Sequence, residues 1–382
     1  MTFSLPPRRI HRIAVSSLFF LAGLCFSSWA SRIPDIRLKL HLDNAGLGAV
    51  LLGLPAGLMT SLPLAGWLVA RFGSRPVATL AAILYACTLP LLGLVTASWQ
   101  LVACLFVFGM NGNMLNISIN TQAIGTESLY GRTIMASYHG LWSLAGFSGA
   151  SIGTLFISLG WLPFQHFLVI TSVALFIVLG CSSRLIRQDA RAGGDQPIFA
   201  RPDRSLINLG IIAFCSMICE GAMFDWSGVY FQKVIQPPKE LIAAGYTAFM
   251  STMAAGRFLG DWMATKWGIK RILQASGLLT ATGLLTAIVF PTLFPALIGF
   301  LLVGAGVSSV IPLVYSAAGR SKVLSPGVAL AAVSTIGYLG FLFGPPFIGF
   351  IAQAFNLKVS LGLIAVLGSI ITLMAARTKF GQ

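Results

Sequence analysis

Charge is scarce in this chain of 382 residues: 9% are Asp, Glu, Lys or Arg. Soluble domains carry about 25%, so a water-exposed surface of ordinary size cannot be covered. Acid is scarcer than base, with ten Asp and Glu against 25 Lys and Arg. Histidine occurs four times, and His11, His41 and His166 fall near or outside the ends of apolar runs. Membrane-embedded enzymes need clustered His, Asp or Glu, so composition argues against an enzyme. The six cysteines all lie in apolar segments, without the spacing of a zinc site. They read as small packing residues, with Cys215 and Cys219 on one helical face. No Gly-x-x-x-x-Gly-Lys-Ser/Thr loop occurs, which excludes the usual cradle for ATP phosphates. No cofactor and no metal are expected.

What the chain has is apolar length. Hydrophobic residues make up 56% of it. Six apolar stretches precede one polar segment, residues 184–204, and six follow it. Their approximate bounds are 12–32, 46–70, 76–96, 99–123, 133–158, 161–183, 206–231, 241–264, 271–290, 294–317, 327–353 and 356–376. A spanning helix needs about 20 residues, and each stretch is long enough. The expected fold class is therefore all-α integral membrane: twelve transmembrane helices in two six-helix bundles. The bundles are 1–183 and 205–382, joined by a cytoplasmic linker at 184–204.

The net charge of +15 suggests nucleic acid until it is mapped. With the N-terminus inside, inner segments hold eighteen Lys and Arg and outer segments hold six, with Arg257 left inside a span. That split satisfies the positive-inside rule for both termini cytoplasmic. The basicity reads as a topology signal, and no nucleic-acid partner is expected. The Arg-rich start followed by Ile13–Phe26 resembles a signal peptide. The even span count closes only if this segment is retained as the first span.

Two junctions repeat at an offset of 195. Gly66-Trp-Leu-Val-Ala-Arg-Phe-Gly-Ser-Arg75 is echoed by Asp261-Trp-Met-Ala-Thr-Lys-Trp-Gly-Ile-Lys270. Val107-Phe-Gly109 corresponds to Leu302-Val-Gly304 at the same offset. Trp29 and Trp226 sit near the ends of spans 1 and 7. A same-direction repeat of six spans belongs to secondary transporters, whose ligand site lies near the midplane between halves. Pro345-Pro346 inside span 11 is expected to bend it.

The junction after span 2 resembles the signature loop of the major facilitator superfamily, G-x-x-x-D-R-x-G-R-[RK]. Gly66, Arg71, Gly73 and Arg75 fit, while Ala70 stands at the usual Asp. In the second copy Lys266, Gly268, Lys270 and Arg271 fit, while Asp261 and Thr265 replace the Gly and the Asp. Ser28-Trp-Ala-Ser-Arg-Ile-Pro34, His139-Gly-Leu-Trp-Ser-Leu144, Glu220-Gly-Ala-Met-Phe-Asp-Trp226 and Gly256-Arg-Phe-Leu-Gly260 are similar to a bacterial inner-membrane branch of that superfamily, distantly fucose-permease-like. The resemblance implies a permease of the bacterial inner membrane. It also implies gating roles for Arg71, Arg75, Arg257 and Lys266. With the acid missing from both copies, these basic residues are expected to find helix C-termini instead.

Ionisable groups at membrane depth are costly and usually functional. Among the ten acids, only Glu220 and Asp225 lie well inside an apolar run. Five residues apart, they point roughly 140° from one another, so they do not form a carboxylate pair. A carboxyl in low dielectric can load and release a proton near neutral pH. Glu220 is the first candidate for proton coupling and Asp225 the second; the alternative for Glu220 is a structural acid bonded to a hydroxyl or to Arg257. His139 is a further proton site, a ligand donor or an interhelical bridge, and these stay open. Asn113, Asn116 and Asn120 share one face of span 4. Amides in hydrocarbon must be paired, so this face lines a cavity or bonds a neighbouring helix. Trp142 and the pair Trp29 and Trp226 are candidates for an aromatic contact to substrate, or for packing and interfacial anchors.

The expected function is secondary active transport of a small polar or hydroxylated solute by alternating access. Protons and membrane lipid are the other partners, and the protein is expected to be a monomer. An efflux antiporter for lipophilic compounds and a non-transporting receptor or sensor are the competing functions.

Overall fold

The computed structural model describes residues 7–130, 134–187, 204–318 and 326–378. Most of the expected linker, 188–203, lies outside the described residues. The helices are α1 Pro7–Ser31, α2 Ile33–Lys39, α3 Asn44–Leu51, α4 Gly53–Phe72, α5 Ser74–Leu94, α6 Ser98–Tyr130, α7 Met135–Ser158 and α8 Pro163–Cys181. After the linker come α9 Arg204–Tyr230, α10 Ala244–Trp267, α11 Ile269–Val289, α12 Leu293–Ser308, α13 Val310–Ala318, α14 Pro326–Ala354 and α15 Leu357–Arg377. Among the described residues there is no strand. In a lipid-facing chain the backbone must bond within its own segment, which is why the apolar runs are helices.

Among the described residues, eleven helical segments are long and apolar enough to cross a membrane by length and composition. The stretch expected at 241–264 is the remaining one. It forms the 24-residue helix α10, but Arg257, Asp261 and Lys266 lower its apolar content.

Some spans are built from two helices, and proline explains each break. Pro55 has no N–H to give Leu51, so the helix is interrupted at Leu52, and Ala56 N bonds Leu52 O at 3.1 Å. Pro312 cannot serve Ser308, the helix breaks at Ser309, and Leu313 N bonds Ser309 O at 3.2 Å. Pro345 and Pro346, by contrast, lie inside the continuous helix α14.

The chain packs as two compact units. The first comprises Met1–His41 and Val50–Ala192, the second Leu42–Ala49 and Gly193–Gln382. Residues 42–49 go with the second unit through Asn44. Its Nδ2 donates to Ala352 O at 3.1 Å, and its Oδ1 accepts from Lys233 Nζ at 3.1 Å.

Inside each unit the helices pair in the same way. In the first, α1 packs on α7 and α8, α4 on α6, and α5 on α6 and α8. In the second, α9 packs on α14 and α15, α10 on α12, and α11 on α12 and α15. The repeat extends to single contacts. Gly109 of α6 lies directly against the Leu54 carbonyl, and Gly304 of α12 lies directly against the Phe249 carbonyl. Both members of the second contact stand at the 195-residue offset from the first. At the neighbouring contact, Gly57 faces the Phe106 carbonyl, while its counterpart Thr252 donates Oγ1 to Leu301 O at 2.7 Å. Small residues allow such close approach, which carries helix association in lipid.

The junction glycines match too. Gly73 has φ 86° and ψ 157°, and Gly268 has φ 82° and ψ 148°. Side chains rarely adopt this backbone, so glycine is required at both turns.

Gly109→Val and Gly304→Val should each lower stability by about 1–3 kcal/mol through overpacking. Gly66→Val and Gly362→Val, where an added Cβ meets nothing within 4 Å, should change it little. Thermal unfolding of the purified variants in detergent checks this, and equal losses at all positions would contradict the packing account.

Candidate functional site

Glu220 lies in α9 and is 5% exposed. Its Oε1 accepts a hydrogen bond from Arg257 Nη2 of α10 at 3.0 Å, forming a buried ion pair. Two buried charges survive desolvation only with such a partner. Tyr315 of α13 and Tyr338 of α14 lie close enough to feel the Glu220 charge, and the buried Tyr315 hydroxyl has no hydrogen-bond partner among the described residues. One carboxylate and one guanidinium from two helices thus form a buried pair in an apolar unit, with the two phenols within range of its charge. It can store a charge pair, and it can lose that pair when the carboxylate takes a proton.

Asp225 is half-buried further along α9. Among the described residues no hydrogen bond or ion pair reaches it. The two acids do not share a cluster. Trp226 is fully buried, and its indole Nε1 has no hydrogen-bond partner among the described residues. Trp29 of α1 has the same character, 1% exposed with an unpartnered Nε1.

The amides of α6 divide. Asn113 is 5% exposed and donates Nδ2 to Leu58 O at 3.2 Å and Ser61 Oγ at 2.9 Å. It therefore ties α6 to α4. Asn116 is exposed and Asn120 half-buried, with Asn120 Nδ2 donating to Asn116 O at 2.8 Å and Oδ1 at 3.2 Å. Those two present polar groups away from the core of the first unit. His139 and Trp142 of α7 are half-buried against α1. His139 packs edge-on to Phe19 at 5.3 Å between centroids, and Trp142 tilts against Phe26 at 6.0 Å.

At the twin junctions, the first basic residue of each copy stacks on aromatics of its own helix. The Arg71 guanidinium lies 5.4 Å from the Trp67 ring and 5.7 Å from Phe72. Lys266 Nζ lies 5.1 Å from Trp262 and 5.5 Å from Trp267. Arg75 donates Nε to Ser182 O at 3.0 Å. That carbonyl closes the C-terminus of α8, where the helix dipole favours a cation.

Several polar residues of the structure carried no clear sequence signal. Arg32, 2% exposed, pairs with Asp35 at 2.7 Å and donates Nε to His166 Nδ1 at 3.1 Å. The residues lie 134 positions apart, so only the packing of α1 on α8 unites them. Gln122, an amide of span 4 outside the candidate face, donates Nε2 to Ser74 Oγ and Ile186 O and accepts Ile186 N. It pins the chain leaving α8. Tyr315 and Tyr338 had only the signal of phenols inside apolar spans. Among the described residues no group of three or more His, Cys, Asp or Glu is arranged to hold a metal.

The sequence profile of the Major Facilitator Superfamily matches residues 15–322. A transporter of that type from Yersinia pestis, itself uncharacterised, is 33% identical over 356 residues, 93% of this chain and 92% of the relative. Among solved structures, a bacterial homologue of the human lysosomal transporter Spinster superposes with a TM-score of 0.76 at 15% identity, covering 98% of both chains. The transporter FucP superposes with a TM-score of 0.67 at 16% identity, covering 98% of this chain and all of its own. At these identities the structures speak for the fold alone.

Removing one partner of a buried ion pair costs about 3–5 kcal/mol, because the other charge stays buried. Arg257→Gln should therefore destabilise strongly, and Glu220→Gln/Arg257→Gln should recover most of the loss. A double-mutant cycle by thermal unfolding reads this; a double variant as unstable as Arg257→Gln would contradict the pairing.

Proposed function

The chain belongs to the Major Facilitator Superfamily, and on that premise we propose that it is a proton-coupled secondary transporter for a small polar or hydroxylated solute. It works by alternating access in the inner membrane, as a monomer among lipids, with both termini cytoplasmic. The charge split between inner and outer segments supports this orientation.

The observation that carries the reading is the Glu220–Arg257 pair, 3.0 Å apart with side chains 6% and 14% exposed. Protonating Glu220 removes the charge that Arg257 faces and breaks this ion pair. Tyr315 and Tyr338 then offer hydroxyls beside a cation, suited to a hydrogen-bonding solute. Asn116 and Asn120 are separate amide candidates within the first unit. Asn113 acts by positioning helices, since its amide is spent on α4, and Trp29 and Trp226 are buried side chains whose indole Nε1 groups stay available. Asp225 is the second proton site. His139 and Trp142 hold α7 against α1. Arg71, Arg75 and Lys266 brace the inner ends of the spans.

The test begins with a thermal-shift screen of sugars, amino acids and lipophilic cations, because a ligand of the folded state raises apparent stability. The stabilising solute is then followed into liposomes under a pH gradient. Wild type should accumulate it; Glu220→Gln should bind and exchange it without accumulation. Gradient-driven accumulation by Glu220→Gln would remove that residue from the coupling role. Binding without flux in wild type would make the protein a receptor.

A further inference from the structure

The first turns of α1 carry Arg8, Arg9 and Arg12, and together with Ile13 and Tyr130 they line a cavity of about 480 Å³. Arg8 and Arg12 are four residues apart, so they rise on one helix face. Both guanidinia lie over the same Tyr130 ring, 5.6 Å and 5.4 Å from its centroid. One aromatic ring is thus asked to serve two cations. Arg12 has one further bond, from Nη2 to Ser137 Oγ at 3.4 Å.

Among the described residues no ion pair involves Arg8, Arg9 or Arg12. The nearby carboxylate of Glu127 uses Oε2 to accept Ile134 N at 3.0 Å and Met135 N at 3.1 Å, capping the start of α7. His11, on the same turn, is bonded through Nδ1 to Arg184 O at 2.7 Å. Like charges at this spacing repel, and an anion in the cavity would relieve them. The apolar run begins directly beside the arginines, with Ile13 54% exposed at the cavity wall. That is the chemistry of the headgroup level, where basic pockets take anionic headgroups.

We propose that this cavity is a binding site for a phosphate group, supplied by an anionic phospholipid headgroup or by free phosphate. Arg8 and Arg12 grip the phosphate oxygens in front of Tyr130, and Arg9 adds charge at the rim. The site is independent of the transported solute.

The test uses the purified full chain with phosphatidylglycerol, phosphatidylcholine or inorganic phosphate. Native mass spectrometry reads retained lipid, and thermal unfolding reads the phosphate shift. Phosphatidylglycerol should be retained over phosphatidylcholine, and Arg8→Gln/Arg12→Gln should reduce retention by about fivefold per arginine removed. Arg184→Gln/Arg187→Gln removes the same charge from exposed positions and should change it little. Stabilisation by inorganic phosphate that the Arg8/Arg12 variant loses, without lipid preference, would assign the site to free phosphate. Arg8→Lys/Arg12→Lys keeps the charge and guards against a folding or topology defect. Equal losses in the two Gln doubles, or no dependence on Arg8 and Arg12 in either assay, would overturn the proposal.

Discussion

A charge inside a low-dielectric bundle must meet its opposite or a proton. Glu220 and Arg257 satisfy that condition with one hydrogen bond between α9 and α10. Because the pair is buried, its energy depends steeply on whether both members are charged. The same steepness makes it useful: a single proton changes what holds α9 to α10. The tyrosines near it, on α13 and α14, extend the consequence to two further helices of the second unit. In the proposed function, proton binding, helix packing and solute recognition converge there.

The rest of each unit supports such a cluster by repeating one packing plan. Gly109 on the Leu54 carbonyl and Gly304 on the Phe249 carbonyl bring α6 to α4 and α12 to α10 at the same place. Where the first unit uses Gly57, the second uses a Thr252 hydroxyl to bond the facing carbonyl. Duplication preserved the backbone approach and let the side-chain chemistry drift. The ends follow the same pattern. Arg71 and Lys266 each rest on two rings of their own helix, while Arg75 reaches the α8 carbonyl terminus.

Much of the fold was legible in the amino-acid order, because membrane insertion is nearly a one-dimensional constraint. Apolar length marked the helices, and Gly73 and Gly268 marked the turns. The junction cations were expected at helix C-termini: Arg75 reaches the α8 terminus, and Arg71 and Lys266 stand in the last turns of α4 and α10 while lying over their own aromatics. The site was less legible. Asn113 looked like one of three equivalent amides, yet its place at the edge of the stripe turns it onto Ser61. The two indoles occupied matching positions, but depth of burial is a property of neighbours rather than of position. Arg32, Asp35 and His166 form a buried group, although sequence places one in a loop and another at a membrane edge. Pairings across a hundred residues depend on which helix faces pack, and periodicity alone does not name the partner.

The central claim is that Glu220 takes the proton and releases Arg257. Infrared difference spectroscopy of the reconstituted protein, stepped between acid and alkaline pH, observes protonated carboxyl groups directly. The account predicts a carboxylic-acid carbonyl band that disappears in Glu220→Gln, persists in Asp225→Asn and shifts in Arg257→Gln. A titrating band that survives in Glu220→Gln and vanishes in Asp225→Asn would contradict it.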